Sequence, residues 1–122
     1  MRALIVDDSS FIREYLCKLL GRMGIACAEA VDGSDALAVL ESQTGFDLML
    51  LDLNMPVMNG LECVKALRKA RLHPDMKVMM VTTEADNHFI AKALDNGADE
   101  FLMKPFTQES LREKMMLLGF AA

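Results

Sequence analysis

Short apolar runs in this chain stop, one after another, at side chains able to do chemistry. Ala3–Val6 ends in Asp7 and Asp8, Leu48–Leu51 runs into Asp52, Val78–Val81 into Thr82, and Phe101–Met103 into Lys104. If those runs are parallel strands of one sheet, residues far apart in sequence gather at a single rim. Carboxylates crowded into one pocket repel, and unaided some would be protonated rather than charged. The lone Lys104 does not balance Asp7, Asp8 and Asp52. A hard divalent cation does, because oxygen ligands with waters completing an octahedron suit Mg2+. Such a centre also draws in a phosphoryl oxygen, and phosphoryl transfer depends mainly on positioning and on neutralising the equatorial oxygens. Mg2+, the Lys104 ammonium and the Thr82 hydroxyl could each take one. A carboxylate then serves as the nucleophile and becomes an acyl phosphate. Asp52 is the candidate, since it stands alone at a strand end opposite the Asp7–Asp8 pair.

The elements that would position these residues are legible as alternating periods. With Ala26–Ala30, five apolar runs alternate with segments of helical period. Ile12, Leu16, Leu19, Leu20 and Met23 form the first stripe, and Ala36, Leu37 and Leu40 a weaker second. Leu61, Val64 and Leu67 form the third, Phe89, Ile90, Ala93 and Leu94 the fourth, and Leu111, Met115 and Leu118 the fifth. Gly24, Gly45 and Gly97 follow three of the stripes, where chains often leave a helix in left-handed geometry, and Pro74 lies just past another. Ser34, Asp86 and Thr107 are expected N-caps. The first, third and fourth runs are nearly continuous in apolar residues, as for parallel strands covered on both faces. The second, with Glu29, and the fifth, with Glu100, read as edges. Right-handed helical crossovers then give a (βα)5 doubly wound parallel sheet with helices on both faces. Ligands bind such sheets beyond the carboxyl ends of the strands, where the chemistry-bearing residues fall.

Composition sets the bounds. The 122 residues are 52% apolar and 6% aromatic, with 11 Met and no Trp, which predicts one domain over 1–122 with an adaptable aliphatic core. A net charge of −5 argues against direct DNA binding or attraction to anionic lipid. Lys65, Arg68, Lys69 and Arg71 read as the solvated face of one helix. Cys17, Cys27 and Cys63 form an odd set without CxxC spacing, each inside an expected element, so they read as reduced and structural. No secretory signal and no run of about 20 apolar residues is present, so a soluble, cytoplasmic protein is expected. His73 and His88 are isolated and receive no role, and Met55 and Met58 read as packing.

At this point the residues resemble the response-regulator receiver domain. The pieces are LIVDDSS at the first strand end, LLDLNMPVMNG around the third, VTTEA after the fourth and FLMKPF at the fifth, in order over nearly the whole chain. Within that family the chain looks like the single-domain chemotaxis members of CheY type. The resemblance implies a flavodoxin-like sheet of strand order 2-1-3-4-5 and a two-component signalling switch with no attached effector domain. It implies Asp52 as phosphoacceptor, Asp8 binding Mg2+ directly (Mn2+ substituting), Asp7 through water, and Asn54 through its backbone carbonyl. Lys104 would pair with the phosphoryl group, and its bond to Pro105 would be cis. Thr82 would swing inward, and Phe101 would move with it as the aromatic switch. The donor would be a sensor histidine kinase or phosphotransfer protein. A downstream protein target would read the fourth helix, fifth strand and fifth helix, roughly Asp86–Asn96, Glu100–Met103 and Thr107–Leu118.

Asn54, Thr83 and Glu84 occupy the positions that tune dephosphorylation in the family. Asn54 and Glu84 match the chemotaxis type, whereas Thr83 departs from an often-seen Ala and leaves the signal lifetime open. Phe in place of Tyr at 101 removes a hydroxyl contact. Two other classes compete. An aspartyl-nucleophile phosphohydrolase usually carries a general-acid Asp two residues after the nucleophile, where this chain has Asn54. A flavin-binding module needs a Ser/Thr/Gly-rich phosphate loop after the first strand, where DDSSF places carboxylates. Singly, Asp7-Asp8 reads equally well as a turn with a helix cap, Asp52 as a loop carboxylate, Thr82 as a strand end and Phe101 as an edge aromatic. Jointly, those readings leave the convergence of acids unexplained.

Overall fold

Each of the apolar runs forms a strand and each intervening stripe a helix in a computed structural model that describes residues 1–83 and 87–120. The order is β1 (Arg2–Val6), α1 (Ser10–Gly21), β2 (Ala26–Ala30), α2 (Gly33–Ser42), β3 (Leu48–Asp52), α3 (Gly60–Ala70), β4 (Lys77–Thr83), α4 (Asn87–Asp95), β5 (Glu100–Lys104) and α5 (Gln108–Leu117). All strand pairs are parallel, in the order β2-β1-β3-β4-β5. The topology matches the (βα)5 expectation.

The two-residue period of the central strands feeds two cores. Leu4, Val6, Met49, Leu51, Val78 and Met80 face α2, α3 and α4, where Ala36, Leu40, Val64, Leu67 and Ala93 meet them. Ala3, Ile5, Leu48, Leu50, Met79 and Val81 face the opposite way, against Leu16, Leu19 and Leu20 of α1 and Leu111 and Met115 of α5. Removing that apolar surface from water, at about 25 cal/mol per Å2, is the main force holding helices to both sheet faces. β2 and β5 are the partly exposed edges, as their acidic residues implied.

Several local expectations shift. The α2 cap is Asp32, whose carboxylate accepts the Asp35 N–H at 2.8 Å, and Ser34 lies inside the helix. An anionic acceptor at a helix N-terminus gains from the dipole as well as the hydrogen bond, so the helix starts earlier. Thr107 does cap α5, in a capping box with Ser110. Asp86, expected to cap α4, lies outside the described residues. On α4 only Ile90 and Ala93 are buried, while Phe89 and Leu94 are exposed, so the helix packs through a narrow stripe. Arg68 is not part of a solvated face. It reaches the Gly97 carbonyl at 3.0 Å, the Met76 carbonyl at 3.3 Å and Asp99 at 3.1 Å, tying α3 to the loops that lead into β4 and β5. Lys65, Lys69 and Arg71 are exposed as expected. The cysteines are free, and burial pushes the Cys27 and Cys63 thiols up to about 12, which suits inert packing groups. Among the described residues no helix is long and apolar enough to cross a membrane.

Candidate functional site

The carboxyl ends of β1, β3 and β5 bring four of the sequence-marked side chains together. Asp7, Asp8 and Asp52 each offer a carboxylate oxygen, and these atoms lie within 4.8 Å of one another. Lys104 Nζ stands 3.4 Å from both Asp7 Oδ2 and Asp52 Oδ1, bridging the first and third strands from the fifth. Among the described residues the buried polar side chains are Asp7, Asp52 and Thr82, all at this rim, while Asp8 is exposed. The rim follows from register. Asp52 pairs with Val81, so Thr82 sits one residue further along the neighbouring strand, and Thr83 pairs with Lys104.

Each group has a local reason for its place. The Asp7 N–H continues the sheet to the Ala30 carbonyl at 3.2 Å, and its Oδ1 accepts the Ser9 N–H at 2.9 Å, which turns the chain into α1. Ser9 caps that helix by accepting the Ile12 N–H. Beyond Asp52 the Asn54 N–H points back at Asp52 Oδ1 across 3.4 Å. The Thr82 hydroxyl lies 3.4 Å from the Thr83 carbonyl. Thr83 is exposed at the end of β4, and Glu84 lies outside the described residues. The Lys104–Pro105 peptide is cis, as the resemblance implied. Phe101 lies toward the start of β5, remote in register from Lys104, and is half-buried against the α2–α3–α4 core.

The electrostatics show a surplus of negative charge. Burial pushes the Asp52 carboxyl up from 3.8 to about 6, the Asp7 charge adds to the shift, and Lys104 and the Asn54 N–H only partly offset it. Carboxylate oxygens so close together, with a single ammonium among them, are the donor set a hard divalent cation takes. The residues therefore fit Mg2+, which Asp7, Asp8 and Asp52 would hold through their carboxylates.

Two contributors were not singled out from sequence. A Cβ on Gly60 would meet the Asp52 carbonyl oxygen at 2.5 Å and the Leu53 Cα at 2.9 Å, so only glycine lets α3 start against the end of β3. The Asn59-x-x-Glu62 capping box was the available signal for that helix start, with Asn59 Oδ1 accepting the Glu62 N–H at 2.9 Å. Arg13 is the other. Its Nη1 donates to the Asp7 carbonyl at 2.7 Å and its Nε to Glu29 at 2.9 Å, a bridge with no sequence signature.

An acidic, lysine-bridged pocket at the switch point of a 2-1-3-4-5 parallel sheet defines the receiver class of signalling proteins. The response regulator receiver domain profile matches residues 3–116, and the chain belongs to that family of two-component response regulators. It is 40% identical over 116 residues to the chemotaxis protein CheY of Pseudomonas aeruginosa, covering 94% of this chain and 93% of that one. It is 36% identical over 121 residues to CheY1 of Helicobacter pylori, covering 98% of both. Among solved structures, CheY4 of Vibrio cholerae superposes with a TM-score of 0.86 at 35% identity, covering 95% of this chain and 96% of that one.

Proposed function

We propose that residues 1–122 act as one receiver domain that accepts a phosphoryl group on Asp52 and changes shape in response. The observation that carries this reading is the convergence of Asp7, Asp8 and Asp52 within 4.8 Å, with Lys104 3.4 Å from Asp52. A bound Mg2+ supplies neutralising charge and a coordination position for a phosphoryl oxygen. The protein does the rest. An Asp52 carboxylate oxygen forms the new bond to phosphorus as the bond to the donor's imidazole nitrogen breaks, and the imidazole leaves with the electron pair. Lys104, already beside Asp52, moves its ammonium onto the new phosphoryl oxygens, and Thr82 turns its hydroxyl to another. Phe101 follows Thr82 inward, so the added charge biases a two-state equilibrium.

The chain promotes only its own phosphorylation and dephosphorylation and is no enzyme toward another substrate. Asn54, Thr83 and Glu84 set how readily water removes the group. Mn2+ replaces Mg2+. A sensor histidine kinase or phosphotransfer protein is the donor, and a protein target binds the surface of α4, β5 and α5. Those two helices carry the exposed Phe89, Leu94, Met116 and Leu117. Similarity to the chemotaxis proteins supports a cytoplasmic messenger of that kind. The test is Mg2+-dependent labelling by acetyl phosphate: Asp52→Asn abolishes it, and a variant that still labels at full extent sinks the assignment.

A further inference from the structure

Every polar main-chain and side-chain atom of Asp7 is held. Its N–H donates to the Ala30 carbonyl at 3.2 Å, its Oδ1 accepts the Ser9 N–H at 2.9 Å and its Oδ2 faces Lys104 at 3.4 Å. Its carbonyl accepts from Arg13 Nη1 at 2.7 Å, the shortest of the set. That carbonyl belongs to the peptide unit joining Asp7 to Asp8. Because a peptide unit is planar, fixing its oxygen fixes the direction in which the Asp8 Cα leaves. The exposed Asp8 thereby inherits an orientation from a neighbour's backbone.

Arg13 is anchored in turn. Its Nε lies 2.9 Å from Glu29 Oε1, and its side chain is only 14% exposed. Glu29 sits on edge strand β2, paired with Ile5 of β1. One guanidinium therefore runs from α1 to both the end of β1 and the neighbouring strand. We propose that Arg13 is a positioning residue for divalent-cation binding, holding the Asp7–Asp8 peptide so that both carboxylates converge with Asp52. The inference rests on the acidic pocket being a cation site.

Charge alone argues against any such helper, since a guanidinium repels an incoming cation. Glu29 offsets that field, and what the ion pair leaves is geometry. Arg suits the task because its planar fork presents Nε and Nη1 in fixed directions, which the single flexible ammonium of lysine does not reproduce. Groups that orient metal ligands in this way commonly govern affinity by 10–100-fold, about tenfold at the low end.

The experiment measures free Mn2+ by electron paramagnetic resonance during titration of the full chain, at low ionic strength and again at high salt. The proteins are the parent, Arg13→Lys and Glu29→Gln, each checked by circular dichroism for a folded state. Arg13→Lys keeps the charge and loses the fork, and its affinity is expected to fall about tenfold. Glu29→Gln, at a side chain 44% exposed, keeps the fold and weakens the anchor from a charge-assisted to a neutral hydrogen bond, with an expected loss of about threefold. Both losses persist at high salt, where a purely electrostatic effect is screened. Unchanged or tighter binding by Arg13→Lys overturns the inference, and so does a Glu29→Gln loss that disappears in salt. If Arg13→Lys does not fold, the Glu29→Gln result decides. A parent protein that binds no Mn2+ fails the pocket reading itself, an outcome independent of either variant.

Discussion

Lys114 Nζ on α5 lies 4.1 Å from the centroid of the Phe101 ring on β5. The same ammonium stands 3.3 Å from Glu100 Oε1, which also accepts the Phe101 N–H at 3.0 Å. Phe101 has no hydroxyl to anchor it, so the cation over its face adds to core packing in holding the ring in the resting arrangement. An attraction of this kind at a half-exposed site contributes about 1 kcal/mol.

In the proposed switch the ring must leave that ammonium when Asp52 is modified. Lys114→Met keeps the aliphatic stem and removes the charge, so it releases the resting state. Apparent affinity for beryllofluoride with Mg2+, read by calorimetry, is expected to rise about fivefold. Lys114→Arg restores the parent value. Equal affinities in all three proteins mean that the ring stays where it is.

The raised Asp52 carboxyl sets a pH dependence whose sign is definite. Its value moves from 3.8 to about 6, chiefly through burial and next through the Asp7 charge. Between those values the unfolded chain has lost this proton while the folded chain keeps it, so stability falls as pH rises through the window. The shift of about two units corresponds to roughly 3 kcal/mol once the window is passed. Asp52→Asn is therefore more stable than the parent at neutral pH without metal, by up to that amount, and matches it below about pH 4. Urea unfolding at both pH values checks this. Equal stability at neutral pH means that Asp52 carries no such penalty.

The strands were readable because β1, β3 and β4 are covered on both faces and so are apolar over most of their length, and four of the five strands end where the chemistry begins. Asp7, Asp8, Asp52 and Lys104 could be found for that reason. Helix limits were less legible, since Asp32 and Ser34 are both good caps and only the surrounding chain chooses between them. The α4 stripe misled because Phe89 and Leu94 have the right spacing but flank the one line of contact made by Ile90 and Ala93. Arg13 and Gly60 matter through tertiary neighbours. Glu29 is sixteen residues from Arg13, and the space Gly60 leaves is bounded by the end of another strand.

Gly60 gives the next expectation. An added methyl would lie 2.5 Å from the Asp52 carbonyl oxygen, 2.8 Å from Met80 Cε and 2.9 Å from Leu53 Cα. Met80 can move, but the backbone atoms cannot without displacing Asp52. Gly60→Ala is expected to lose about 1–3 kcal/mol of stability and to slow labelling by acetyl phosphate. Gly21→Ala is the control, since nothing lies within 4 Å of its Cβ position. Parent-like stability and labelling in Gly60→Ala would show that β3 and α3 have room to separate.

Val57 supplies the last. It follows Asp52 in the loop to α3, is 83% exposed and adopts a φ of 67°. A β-branched side chain in the left-handed region clashes with its own backbone, at a cost of about 1–3 kcal/mol. Burial gives nothing back at so exposed a position. Asn tolerates this conformation, so Val57→Asn is expected to stabilise the chain by about 1 kcal/mol. For a domain of this size that raises the thermal midpoint by about 4 °C in a calorimetric scan. A lower midpoint would mean that the valine side chain makes contacts worth more than the backbone strain it imposes.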